Sequence, residues 1–245
     1  MRLEKRTVFI TGGAKRIGSH LARAVARRGA NLVINYRYSN SDALAVVQEL
    51  RRLGVDALAV PGDVSNDNDV QRMVMSAIER FGRIDVLINN AAVYFKTPFG
   101  QLTESEWDLT VDINLKGSFL CAKAVAAHML ARGEGKIINF ADWAGMRPYP
   151  DYLPYCVSKA GVIALTQSLA QELAPAIQVN CIAPGPILMP EDMDEEERQR
   201  VVRATPLQRI GSPEDIVQAV LFLIEGTDFA TGGTYLIDGG RFIAS

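Results

Sequence analysis

Seven short runs of apolar and β-branched residues, separated by stretches of helical periodicity, constrain this chain more than any other feature. The runs are TVFIT (7–11), NLVINY (31–36), ALAV (57–60), DVLINN (85–90), KIINFA (136–141), QVNCIA (178–183) and TYLID (234–238). Most are apolar throughout rather than alternating, as parallel strands covered on both faces are. Amphipathic segments at 17–28, 42–53, 66–81, 103–131, 156–174 and 213–225 lie between them. Gly29, Gly54 and Gly82 stand where three of those helices should stop. Strand and helix in alternation require right-handed crossovers, so the pattern predicts an α/β fold with a doubly wound parallel sheet. No linker, composition break or internal repeat divides residues 1–245, which read as a single domain.

One segment departs from the rhythm. PEDMDEEERQRVVRATPLQRIGSPED (190–215) follows the sixth run, is strongly charged and carries a proline near each end. It reads either as a solvated surface helix or as a mobile substrate loop over 190–212, because insertions at strand carboxyl ends form the rims of α/β sites. With 48% hydrophobic and 22% charged residues, the chain has material for a core and no signature of disorder. Its formal net charge of −2 gives no general attraction to nucleic acid or anionic membrane. Cys121, Cys156 and Cys181 are widely spaced, odd in number and without metal-ligand spacing, so reduced thiols and no metal are expected. The apolar run in MRLEKRTVFITGG is too short for a signal peptide, and no stretch is long enough to span a bilayer; a cytoplasmic protein is expected.

FITGGAKRIG (9–18) follows the first strand and opens a helix. Thr11, Gly12, Gly13 and Gly18 make a tight turn, and the N–H groups around Lys15, Arg16 and Ile17 at the helix start can bind a pyrophosphate. A glycine turn alone is weak evidence, but at strand one, with a second strand soon after, it marks a Rossmann-type dinucleotide site. The second strand ends in Asn35, Tyr36, Arg37, Tyr38 and Ser39, with no carboxylate to hold a ribose 2′-hydroxyl. Arg37, Ser39 and Lys15 or Arg16 can meet a 2′-phosphate instead, so NADPH is the expected cofactor, against the plainer reading of a basic surface loop. Asp63 and Val64 at the third strand's end are placed for the adenine. Asn90, Ala91 and Ala92 after the fourth allow close approach of a flat ligand, although a tight turn also explains the alanines.

Tyr155 and Lys159, in YCVSK, stand at i and i+4 and share a helix face. An ammonium beside a phenol lowers the phenol's proton affinity, so the pair can exchange a proton while a nicotinamide exchanges hydride. Thirteen residues before Tyr155 comes Asp142, at the tip of the strand in IINFADWAG.

Over its whole length the chain resembles the short-chain dehydrogenase/reductase family, in TGGAKRIG, Asp63-Val64, NNAA, Asn114 within DINLKG, YCVSK and PGPI after the sixth strand. The resemblance implies that Tyr155 is the proton donor, that Lys159 binds the nicotinamide ribose and tunes it, and that Asn114 helps to hold a relay water. It places Pro184, Gly185 and Ile187 along the nicotinamide, and it implies a homodimer or homotetramer. Two departures stand out. Arg16 occupies a position where the family's turn commonly has glycine, and Asp142 replaces the catalytic serine. An ionised carboxylate cannot donate to a carbonyl and repels a developing oxyanion.

That combination resembles the pteridine-reductase branch. The likeness implies a pterin over the nicotinamide, with Asp142, Tyr155 and Lys159 supplying the proton. It also implies that Arg16 reaches the pterin edge and that Tyr94 covers its other face, with Trp143 and Tyr149 lining the substrate side. The alternatives are a carbonyl reductase of the 3-oxoacyl-carrier-protein type, with Asp142 as a turn cap and Tyr94 as loop packing, and a sensor that binds NADPH without turnover.

Overall fold

The computed structural model describes residues 1–189 and 193–244. Each apolar run becomes a strand: β1 (Thr7–Ile10), β2 (Asn31–Tyr36), β3 (Ala57–Pro61), β4 (Val86–Asn89), β5 (Gly135–Phe140), β6 (Ile177–Pro184) and β7 (Thr234–Ile237). They form one parallel sheet in the order β3-β2-β1-β4-β5-β6-β7. Between them run α1 (Arg16–Ala26), α2 (Asn40–Arg52), α3 (Asp67–Phe81), α4 (Glu104–Val111), α5 (Gly117–Arg132), α6 (Leu153–Leu173), α7 (Glu195–Arg203) and α8 (Pro213–Leu221). Adjacent residues of a strand enter opposite cores. Ile10 and Ile138 pack with α1, α2 and α8, whereas Phe9 and Ile137 pack with α3 and α5. Both faces are therefore covered, which is why the strands carry no polar alternation.

Three segments differ from the sequence pattern. The helical stretch expected over 103–131 is two helices joined by a π-type turn, Asp112–Lys116, and a Thr103–Glu106 capping box starts the first. The stretch over 213–225 likewise passes into a π-type turn at Phe222–Gly226. Within 190–212, residues 190–192 lie outside the described residues. Residues Glu195–Arg203 take the first of the two readings, a helix, capped by the Asp194 side chain on the amide of Glu197.

The order of connections reverses between β1 and β4, so the carboxyl ends of those strands bound the crevice where ligands of open α/β sheets bind. The opposite end of the sheet is closed by ions. Buried Asp85 accepts from Arg6 at 2.9 Å, from Arg83 Nε at 2.8 Å, from Arg132 at 2.7 Å and from the Thr7 amide at 2.9 Å. Among the described residues no helix is long and apolar enough to cross a membrane, and no group of His, Cys, Asp or Glu is arranged to hold a metal ion.

Candidate active site

The turn after β1 is held by side chains whose work is to fix backbone. Thr11 Oγ1 accepts from the amides of Asn90 (2.9 Å) and Ala91 (3.0 Å), while Asn90 Nδ2 donates to the carbonyls of Thr11 and Gly12, both at 3.0 Å. Asn35 accepts from the Gly12 amide through its side chain (3.2 Å) and from the Gly13 amide through its carbonyl (3.1 Å). A Cβ on Gly18 would lie 2.5 Å from the Gly12 carbonyl oxygen, so only glycine lets α1 start this close to the turn. Lys15 places no side-chain cap on α1, and its first-turn N–H groups are open to an anion. An uncapped helix start behind so tight a turn fits the pyrophosphate of a dinucleotide.

Arg16 stands at φ 48°, the left-handed region where a non-glycine residue stores strain on the order of 1 kcal/mol. Its guanidinium donates to the Leu188 carbonyl at 2.6 Å, tying the phosphate turn to the chain beyond β6. At the end of β2, Arg37 pairs with Asp63 at 2.9 Å and lies 4.8 Å from the centre of the Tyr38 ring. Lys15 pairs with Asp42 at 3.0 Å. The carboxylate missing from β2 is thus supplied from the turn after β3, and two of the cations expected at a 2′-phosphate, Arg37 and Lys15, have an acidic neighbour that linear sequence does not reveal. Asp63 is itself fixed by the amide (2.9 Å) and hydroxyl (2.7 Å) of Ser65. Tyr36 donates to Asn40 at 2.6 Å, and Ser39 precedes α2 without capping it. Val64 is buried against Gly117.

Asp142, Tyr155 and Lys159 come together. Strand β5 delivers Asp142 into a 3-10 turn, Trp143–Gly145. Its Oδ1 accepts from the Ala144 amide at 2.8 Å, and its Oδ2 accepts from the Tyr155 hydroxyl at 3.0 Å. The residue is therefore both a turn cap and a partner of the phenol. Burial raises its carboxyl to about 6, although the Ala144 amide, the Lys159 charge and the Tyr155 hydroxyl pull it down. Lys159, buried on the next turn of α6, donates to the Phe140 carbonyl at 2.8 Å and makes no other hydrogen bond among the described residues. Burial lowers its pKa, with Asp142 opposing.

Tyr155 departs from expectation. Burial first and the Asp142 charge second hold its phenol well above the ordinary value, not lowered towards neutrality. Burial of the phenol is the larger cause, and geometry supplies the second: the Lys159 ammonium is bonded to a backbone carbonyl and sits 5.6 Å from the centre of the phenol ring, while the carboxylate touches the hydroxyl directly. Asn114 is spent on the framework. Its Oδ1 accepts from the Val93 amide at 2.8 Å, and its Nδ2 donates to the Val93 carbonyl (3.1 Å) and to Ser158 Oγ (3.2 Å), so both amide protons are used.

Aromatic side chains wall this pocket. Tyr94 stacks on Tyr152 (4.6 Å between centroids, 9° between planes) and meets Tyr155 edge-on at 4.8 Å. Tyr149 bridges Tyr152 (5.3 Å) and Trp143 (5.5 Å). Pro184 ends β6, Gly185 donates to the Ile237 carbonyl at 2.9 Å, and Ile187 is buried. Tyr152 was missed at the level of sequence, although its place three residues before Tyr155 on the α6 entry was a usable signal. Asn35 was missed as the anchor of the glycine turn, and a polar residue closing an apolar strand was its mark.

Comparison with known proteins gives the family of the chain. Residues 12–241 match the family model described as Enoyl-(Acyl carrier protein) reductase. The chain is 38% identical over 244 residues to a 3-oxoacyl-[acyl-carrier-protein] reductase of Synechocystis sp., covering 97% of both chains. It is 36% identical over 247 residues to the 3-oxoacyl-[acyl-carrier-protein] reductase FabG of Staphylococcus aureus, covering 99% of this chain and all of that one. Its structure is similar, at a TM-score of 0.93 and 32% identity over 100% of this chain and 98% of the other, to a gluconate 5-dehydrogenase from Burkholderia cenocepacia solved with NADP and tartrate. The chain belongs to the short-chain dehydrogenase/reductase family and is an oxidoreductase of that family.

Proposed function

We propose that this oxidoreductase uses NADPH to reduce a C=N bond of a pterin-like heterocycle. The observation that carries the reading is the Asp142 carboxyl hydrogen-bonded to the Tyr155 phenol, 3.0 Å away, beside the Lys159 ammonium. A dinucleotide, when bound, would supply the hydride. Gly12, the first turn of α1, Arg37, Asp63 and the Lys159 ammonium are the groups available to hold it. The chain supplies the proton. Asp142, raised to about 6, has a proton affinity close to neutrality, where an acid catalyst is most effective. Tyr155 gives its hydroxyl proton to the ring nitrogen ahead of the hydride and regains one from Asp142, which is then reloaded from solvent. A carboxylate here also favours a substrate that becomes cationic as its ring nitrogen is protonated, and disfavours one that develops an oxyanion. Tyr94, Tyr149 and Trp143 offer flat surfaces to such a ring.

A second reading, reduction of a 3-oxoacyl thioester, is favoured by the names of the relatives at 36–38% identity. Under it, Tyr155 alone polarises the carbonyl and Asp142 must stay protonated. NADPH oxidation with dihydrobiopterin and, separately, with acetoacetyl-CoA distinguishes the two. Turnover of the pterin, lost in Asp142→Ser, is expected; turnover of the thioester alone, unaffected by that change, would remove the pterin proposal. Leu109 of α4, Phe119 of α5 and Leu153 and Val157 of α6 leave apolar surface exposed, which supports a homodimer or homotetramer. Sedimentation of the purified protein is expected to read two or four subunits, and a monomer would contradict it.

A further inference from the structure

Arg147 and Arg241 play no part in the chemistry above, yet both converge on the turn that carries Asp142. Arg147 Nη1 donates to three main-chain carbonyls of the C-terminal segment: Arg241 (3.2 Å), Phe242 (3.1 Å) and Ala244. The segment is folded to present them. The Asp238 carboxylate accepts from the amides of Gly240 (2.9 Å) and Phe242 (2.7 Å), and the Arg241 amide donates to the Asp238 carbonyl (3.1 Å). Residues 238–244 thus form a hook. From it, the Arg241 guanidinium reaches over Trp143, 5.4 Å from the ring centre, and donates at 2.7 Å to the carbonyl of Ala204, the residue that ends α7. The Leu207 amide returns to the Gly239 carbonyl at 3.1 Å.

A 3-10 turn this short has poor hydrogen-bond geometry and little rigidity of its own. On its inner side it is seated against α6, where a Cβ on Gly145 would come within 2.7 Å of the Lys159 carbonyl carbon. Its outer side is where the hook makes its contacts, through Arg147 and the indole of Trp143, the residue next to Asp142.

We propose that the C-terminal hook is a positioning element of the active site, in which Arg147 and Arg241 press the Asp142 turn onto α6 and join it to the chain leaving α7. The inference rests on the reading of Asp142 as the site's acid. Misplacing a reacting group by about 1 Å can cost about a hundredfold in rate, so a loosened turn lowers kcat while the cofactor end, held by β1 and α1, is untouched.

The test uses the full-length protein, with whichever of dihydrobiopterin and acetoacetyl-CoA it reduces. Arg147→Ala and Arg241→Ala are expected to lower kcat about tenfold, with the dissociation constant for NADPH and the KM within about threefold of wild type. Arg241→Lys should recover most of the loss, because an ammonium keeps a charge over the indole and a donor for the Ala204 carbonyl. In a Trp107→Phe background, where Trp143 is the remaining indole, Arg241→Ala should also shift the emission maximum without substrate. Unchanged kcat and emission in the alanine variants would overturn the proposal, as would a loss of NADPH affinity in proportion to kcat, which marks general disorder. If Asp142→Ser itself leaves kcat unchanged, it is the reading of Asp142 that fails, and the emission shift still reports on the hook.

Discussion

Both oxygens of Asp142 are engaged, one by the Ala144 amide and one by the Tyr155 hydroxyl, so capping a turn and handling a proton are not exclusive roles for this residue. Burial raises its carboxyl to about 6, above the value it has in an unfolded chain, so the native state binds this proton more tightly. Its ionisation therefore opposes folding: stability falls as pH rises from the unfolded value through about 6, and the full penalty is present above that. Allowing for the partial exposure of the residue, the penalty is on the order of 2 kcal/mol. Asp142→Asn keeps an acceptor for Ala144 and removes the charge. It is expected to raise Tm above about pH 7, with the gain vanishing as the pH falls towards about 4. A variant less stable than wild type at the higher pH would contradict the account. A charge that weakens the fold at neutral pH is more readily explained by chemistry than by packing.

Elements differ in how well local sequence announces them. Every strand was legible, because apolar β-branched runs of this length between helical patterns have few other uses. The break at Asp112–Lys116 was not, since Val111 through Lys116 contains neither glycine nor proline and a π-type turn preserves helical periodicity approximately. The helix Glu195–Arg203 was one of two readings of its segment, left open because three Glu and three Arg among nine residues show no clear apolar face. At the end of β2 the residues were legible but their partners were not: Arg37 meets Asp63 from the turn after β3. That pair holds the guanidinium in place and offsets part of its charge. Arg37→Ser is expected to lower the preference for NADPH over NADH, as a ratio of kcat/KM, by about ten- to a hundredfold, the worth of a charge-assisted contact. An unchanged ratio would show that the 2′-phosphate is held elsewhere.

At the scale of the whole molecule, the sheet separates stability from chemistry. Asp85 and its three arginines close the amino ends of the strands, and Asp142, Tyr155 and Lys159 gather at the carboxyl ends. The trio could be placed from sequence because α6 fixes the spacing of two members and β5 delivers the third. The sign of the Tyr155 shift could not, because it depends first on how deeply the phenol is buried and then on which charge touches the hydroxyl. The hook was equally hidden, since Arg147 and the carbonyls it binds are separated by nearly a hundred residues and leave no local mark. The measurement that bears most directly on Asp142 as the proton source is the pH dependence of kcat for dihydrobiopterin at saturating NADPH. The protonated carboxyl is the active form, so kcat should fall as pH rises through about 6 in the wild type. Asp142→Asn should be slow and flat over that range. A variant that keeps both the wild-type rate and its inflection would contradict the account.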